Sequence, residues 1–271
     1  MRVQLPDIFI DYEDSGPQHT SLPTILFIHG YPLSRKIWQP QMSELTDSAR
    51  VLSLDLRGFG ESDATPSSYS MEMLADDCIA FLDRLGIVNP VIFCGLSMGG
   101  YITFALYRKY PQRVQGLILV STRTGADSPE AKGNRDKAIS LAEKEGTPAI
   151  VRLMLPKMLA QSTYTNRPEL VESVRSILQS ASVPGITGAL GGMRDRPDST
   201  PFLTQITVPV LLIFGEQDQF VTRFEVESMR DAIRYAKLHT ISNAGHLPNL
   251  EQPAIFNQLV RNFLAALIES H

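Results

Sequence analysis

Gly95-Leu96-Ser97-Met98-Gly99 sets one serine between two glycines, where an apolar run (residues 91–94) stops and a helix-like pattern starts. That spacing is the nucleophile-elbow pattern, in which a sharp strand-to-helix turn lifts a serine hydroxyl above the carboxyl edge of a sheet. Small flanking residues let the helix and strand approach closely. The helix N-terminus beside the serine offers free N–H groups and a positive dipole end to a developing oxyanion. The chemistry this suggests is acyl transfer through a serine nucleophile. The plainer alternative is a glycine-rich turn holding an incidental serine.

A serine hydroxyl needs a base to take its proton. Five histidines are present: His19, His29, His239, His246 and His271. His246 is the best candidate, because Ser242-Asn-Ala-Gly-His246-Leu-Pro-Asn-Leu-Glu251 reads as a loop between the last strand and the last helix, and such loops leave at the carboxyl edge. His239 lies inside a strand, His19 in a polar loop and His271 at the terminus. The base in turn needs a carboxylate to orient it. Phe214-Gly215-Glu216-Gln217-Asp218-Gln219 follows a strand between the serine and the histidine. Asp218 is chosen, since Gly215 and two further residues give the loop room to turn back; Glu216 is the fallback, and the plain alternative for Asp218 is a turn aspartate bonding its own backbone. For the oxyanion, one donor is the N–H after the nucleophile, Met98, and the other comes from the loop Ile28-His29-Gly30-Tyr31-Pro32, where Tyr31 supplies the N–H that Pro32 lacks. His29 is read as a brace for that loop rather than a base.

These residues need a scaffold that brings them to one edge. Short β-rich runs at residues 24–28, 51–55, 91–94 and 114–120 alternate with helical stretches at 37–45, 70–86 and 98–110. Apolar strands alternating with crossover helices imply a parallel sheet buried on both faces. Residues 3–12 read as an antiparallel edge hairpin. The rhythm changes over residues 122–205, which read as helices near 130–145, 147–161, 168–180 and 184–193. It resumes with strands at 208–214 and 237–241, a helix near 223–235 and a last helix at 252–268. The expected organisation is a core of residues 1–121 and 206–271 with a helical cap, or lid, of residues 122–205 inserted into it.

Composition narrows the function classes. The chain has 271 residues, 43% of them hydrophobic, and a net charge of −4. That supports a sizeable core and argues against nucleic acid as a partner. No apolar run approaches the roughly 20 residues that span a bilayer, and the first residues carry no signal-peptide pattern. The two cysteines, Cys78 and Cys94, form neither metal spacing nor a disulfide framework, and Cys94 reads as a small core hydrophobe. A cytoplasmic location without membrane contact is expected. Within residues 122–205, 11 Lys and Arg stand against 9 Asp and Glu. This slight basic excess would suit an anionic substrate, with Arg123, Arg194 and Arg196 as the arginines of interest. Leu153, Met154, Leu155, Met158 and Leu159 would line an apolar pocket, or simply form the lid's own core.

In this order, HGYP, DLRGFGESD, GLSMGG, GEQD and AGHLPNLEQP resemble the α/β-hydrolase superfamily over nearly the whole chain. It is similar in particular to small bacterial carboxylesterases and the 3-oxoadipate enol-lactonase group, whose lid resembles Asp127-Ser-Pro-Glu-Ala-Lys132 and Arg196-Pro-Asp-Ser-Thr200. The resemblance implies the α/β-hydrolase fold, an eight-stranded, mostly parallel sheet, and a Ser97–His246–Asp218 triad with no metal or organic cofactor. A serine at the elbow sets the chain apart from the aspartate-nucleophile dehalogenases and epoxide hydrolases. Asp55 and Arg57 are expected to hold loops by charge-assisted bonds. The expected function is hydrolysis of small to medium acyl or aryl esters through an acyl-enzyme. An enol-lactonase, a perhydrolase and a non-catalytic ligand-binding protein are the alternatives. The partner is a small-molecule ester or lactone.

Overall fold

The computed structural model describes residues 1–17 and 22–269; His19 and His271 lie outside the described residues. Eight strands are present: β1 (Arg2–Gln4), β2 (Phe9–Ser15), β3 (Thr24–Ile28), β4 (Arg50–Leu54), β5 (Val91–Leu96), β6 (Val114–Val120), β7 (Val210–Gly215) and β8 (Ala236–Ile241). They form one sheet in the order β1-β2-β4-β3-β5-β6-β7-β8, parallel from β4 to β8 and antiparallel at the β1 and β2 edge. This is the α/β hydrolase fold, with its eight-stranded, mostly parallel sheet.

The helices are α1 (Gln39–Glu44), α2 (Met71–Arg84), α3 (Met98–Lys109), α4 (Pro129–Glu145), α5 (Thr147–Met154), α6 (Gln161–Asn166), α7 (Pro168–Gln179), α8 (Val183–Asp195), α9 (Arg223–Ala232), α10 (Pro248–Glu251) and α11 (Pro253–Glu269). Helices on both faces bury the central strands, and β5 and β7 expose no residue. This is why those strands read as continuous apolar runs. On one face Phe27 packs on Trp38 with ring centroids 4.7 Å apart, and Trp38 packs on Phe256. On the other, α2 and α3 contribute Leu82, Ile102 and Phe104. Edge strand β8 instead alternates partly buried and exposed residues. The hydroxyls of Ser70, Ser128, Ser182 and Thr222 cap α2, α4, α8 and α9, each satisfying a free N–H of a first turn.

The edge hairpin, the β/α alternation and the helices between β6 and β7 follow the sequence reading. Proline explains most departures. Residues 35–38 form a 3-10 turn and α1 starts only at Gln39, with Pro40 in its first turn. The expected helix at 147–161 ends at Met154, because Pro156 enters a 3-10 turn, and α6 follows as a separate, unexpected helix. β7 starts at Val210, just after Pro209, rather than at residue 208. Among the described residues no helix is long and apolar enough to cross a membrane.

The strand order reverses between β3 and β5. The chain moves outward from β3 to β4 on one side and from β5 to β6 on the other. Loops leaving the carboxyl ends of β3 and β5 therefore diverge and open a crevice, the usual place for a ligand in such a sheet.

Candidate active site

Ser97 stands at that crevice. It links β5 directly to α3 with φ 55° and ψ −111°, a conformation costly for a residue with a Cβ and typical of functional turns. Its neighbours leave it little freedom. The Ser97 N–H donates to the Val120 carbonyl at 2.9 Å, and the Ser97 carbonyl accepts from Thr122 Oγ1 at 2.8 Å. A Cβ on Gly95 would lie 2.3 Å from the Gly99 carbonyl oxygen, and one on Gly99 would lie 2.4 Å from that of Ile28. Glycine at both positions is what lets α3 start against the ends of β5 and β3.

The loop after β3 sits beside the serine, since a Cβ on Gly30 would come within 3.1 Å of Ser97 Cβ. His29 braces this loop. Its Nδ1–H donates to the Gly30 carbonyl at 2.8 Å, and its Nε2 accepts from the Leu56 N–H at 3.0 Å. Burial lowers its pKa, against the pull of Asp55 and the Gly30 bond, so the ring stays neutral with the proton on Nδ1. Tyr31 follows, 5% exposed, and its phenolic oxygen has no hydrogen-bond partner among the described residues. Met98 opens α3, where an N–H has no intrahelical acceptor.

His246 and Asp218 leave the same carboxyl edge on the loops after β8 and β7. They meet: His246 Nδ1 lies 2.9 Å from Asp218 Oδ2 and 3.0 Å from Oδ1, and both side chains are buried. Asp218 Oδ1 also accepts the Phe220 N–H at 2.8 Å and the Val221 N–H at 3.2 Å. Burial pushes the Asp218 carboxyl up, but His246 and these hydrogen bonds outweigh it and hold it below the usual carboxylate range. The Phe220 ring packs against the imidazole with centroids 4.7 Å apart. Glu216 is exposed at the corner of a turn closed by the Asp218 N–H on the Gly215 carbonyl. That turn faces Glu216 outward and returns Asp218 to the histidine. His239 is exposed on β8.

Asp55 and Arg57 act in the loops as expected. Asp55 accepts from the Arg35 and Glu61 N–H groups, and Arg57 forms a two-pronged pair with Asp77 at 2.6 and 2.7 Å.

The expected apolar lining divides. Leu153 is 46% exposed and faces solvent, while α5 turns its other side, with Ile150 and Val151, to the core. Met154 is partly buried, and Met158 and Leu159 are fully buried. Met158 touches the site through its backbone, since its carbonyl accepts the His246 N–H at 3.0 Å. The arginines divide as well. Arg194 is spent on Asp136 and Asp195 at the surface. Arg196 is buried on Asp127 at 2.7 Å and stacks over Tyr101. Arg123 lies 3.6 Å from Asp127 and 3.6 Å from Glu225.

Sequence reasoning missed two residues. Arg135 of α4 is the third arginine on Asp127, at 3.0 Å, and its charge reaches Tyr31. Glu251, within the quoted histidine stretch, is a buried carboxylate bonded to the His246 loop and to the inserted helices. Arg135 lacked any local signal. Glu251 had one, a carboxylate five residues after the histidine in the same stretch. Among the described residues no three His, Cys, Asp or Glu side chains cluster as metal ligands.

The class that this fold and sheet order define is the α/β-hydrolase fold. The sequence pattern of the alpha/beta hydrolase fold matches residues 23–253, and the chain belongs to that family. It is similar to 3-oxoadipate enol-lactonase 2 of Acinetobacter baylyi, 29% identical over 94% of this chain and 92% of that one. Among solved structures it resembles a thermophilic esterase from Thermogutta terrifontis with malate bound, at 40% identity and TM-score 0.94, covering 98% of this chain and 99% of that one. It also resembles the enol-lactonase from Burkholderia xenovorans LB400, at 27% identity and TM-score 0.91, covering 98% and 100%.

Proposed function

We propose that the chain is a carboxylic-ester hydrolase that works through Ser97, His246 and Asp218, with residues 122–205 forming a cap over the core. The observation that carries this is the pairing of a strained serine at the β5–α3 turn with a buried His246–Asp218 pair at the same sheet edge. Ser97 Oγ attacks the ester carbonyl carbon while His246 Nε2 takes its proton. The N–H groups of Tyr31 and Met98 receive the oxyanion. Collapse expels the alcohol, which takes the proton back from His246. Water then attacks the acyl-enzyme by the same route, releasing the acid and restoring Ser97. Asp218, held ionised, keeps the imidazole proton on Nδ1 and stabilises the imidazolium.

The test is the initial rate on a series of p-nitrophenyl esters from acetate to decanoate, with Ser97→Ala beside the wild type. The wild type is expected to turn over short and medium esters. Ser97→Ala should lose on the order of 10⁴- to 10⁶-fold in kcat. Rapid binding of esters without turnover would overturn the reading in favour of a ligand-binding protein.

A second reading is hydrolysis of an ester or lactone that itself carries a carboxylate. It is favoured by three arginines meeting one buried aspartate, Asp127, with Glu225 the only other carboxylate on them among the described residues, which leaves a net positive cluster whose Arg135 acts electrostatically on the Tyr31 phenol. The malate-bound esterase and the enol-lactonases among the similar proteins agree with it. Monomethyl adipate set against methyl hexanoate tests it. A higher kcat/KM for the anionic ester, lost in Arg135→Gln, supports this reading; equal or better use of the neutral ester sinks it.

A further inference from the structure

Glu251 ends the short helix α10, five residues beyond His246, and is only 3% exposed. Its Oε2 accepts the Gly245 N–H at 2.6 Å. Its Oε1 accepts the Ala160 N–H at 2.8 Å and the Thr163 hydroxyl at 2.6 Å. One carboxylate therefore joins the residue before His246 to the segment that enters α6. Every group facing it is a donor, an arrangement that an ionised carboxylate satisfies and an amide does not. Burial pushes its pKa up against those bonds. The two backbones it joins are also in direct contact. The His246 N–H donates to the Met158 carbonyl, and a Cβ on Gly245 would stand 2.6 Å from the carbonyl carbon of Leu159.

We propose that Glu251 is a positioning residue for the hydrolytic reaction: it sets the place of His246 by clamping the histidine loop to the segment of residues 158–163. The proposal rests on His246 being the base. The segment cannot then swing aside as a lid without carrying the histidine loop with it. Seating of the inserted helices and alignment of the base become one event, and any opening of the site belongs to other parts of the insertion.

Glu251→Gln tests this, because the amide keeps the shape but sets an NH2 against a donor whichever way it turns. On p-nitrophenyl butyrate, kcat is expected to fall about 10- to 100-fold with KM changed less than about threefold, the signature of a misplaced catalytic group rather than of lost binding. The downfield proton resonance of His246 Nδ1–H should shift or broaden in the same variant. Thr163→Val removes one of the three donors and should lower kcat severalfold. Wild-type kcat with an unchanged resonance in Glu251→Gln overturns the proposal, as does a loss of rate that only tracks the fraction unfolded by circular dichroism. If Glu251→Gln does not fold, an unchanged kcat in Thr163→Val overturns it. His246→Ala is measured alongside. Full activity there would refute the base reading itself, an outcome distinct from inactive His246→Ala with an unaffected Glu251→Gln.

Discussion

The two halves of the site are held in different ways. The serine half is fixed by backbone against backbone: Gly95 and Gly99 close on neighbouring carbonyls, and His29 ties the loop after β3 to the start of the loop after β4. The histidine half adds to its backbone contacts side chains that reach across long stretches of sequence. Asp218 grips His246, and Glu251 grips both Gly245 and residues of the inserted helices. Backbone packing specifies small residues at set spacing. Side-chain clamps specify only a chemical type somewhere within reach.

Among the residues that hold the two halves in place, the largest predicted effect breaks the histidine half. Asp218→Asn keeps the shape but favours the wrong imidazole tautomer, so kcat should fall by roughly 10⁴-fold. Glu216→Gln, at the exposed corner of the same turn, should change it less than about twofold. Equal losses in the two variants would mean that the turn as a whole matters, not the carboxylate facing His246. Next comes a break in the serine half. Gly99→Ala drives a Cβ into the Ile28 carbonyl, a backbone atom that cannot swing aside. It should cost about 1–3 kcal/mol, read from urea unfolding. An unchanged midpoint would show that the β3–α3 approach is looser than its geometry.

That contrast also explains what could be read from the sequence. The elbow needs glycine, any residue, serine, any residue, glycine, because each position meets a fixed neighbour within one turn. The strands were legible for a similar reason: burial on both faces leaves them continuously apolar. The acid was narrower but not unique, since Glu216 and Asp218 share one loop and only the turn geometry separates them. Arg135 was not legible as a site residue, because no periodic pattern announces its pairing with Asp127; Glu251 stood out only by its place after the histidine, since its partner Ala160 lies 91 positions away along the chain. The exposure of Leu153 was not legible, because α5 is amphipathic and an apolar residue at helical spacing does not say which side faces solvent. In the histidine half, the inserted helices supply the long-range partners of Glu251, and their proline-broken segment at residues 155–157 is one of the places where the expected boundaries failed.

The smallest predicted effect separates the two halves by pH. His29 is neutral in the folded protein because burial holds its pKa below its ordinary 6.5. The unfolded chain therefore binds a proton that the folded chain excludes once the pH drops below about 6.5. The stability that His29 gives is complete above that value and is lost progressively as the pH falls toward the folded-state pKa. Asp218 has its pKa lowered from 3.8, so its contribution is complete above 3.8 and is lost only in stronger acid. The serine half should thus weaken first on acidification. His29→Gln removes the proton linkage along with the brace. The stability gap between wild type and His29→Gln, from thermal unfolding at several pH values, should narrow between about pH 7 and pH 5. Parallel curves for wild type and His29→Gln would show that the buried imidazole takes up its proton without loss, and that the brace between Gly30 and Leu56 does not depend on a neutral ring.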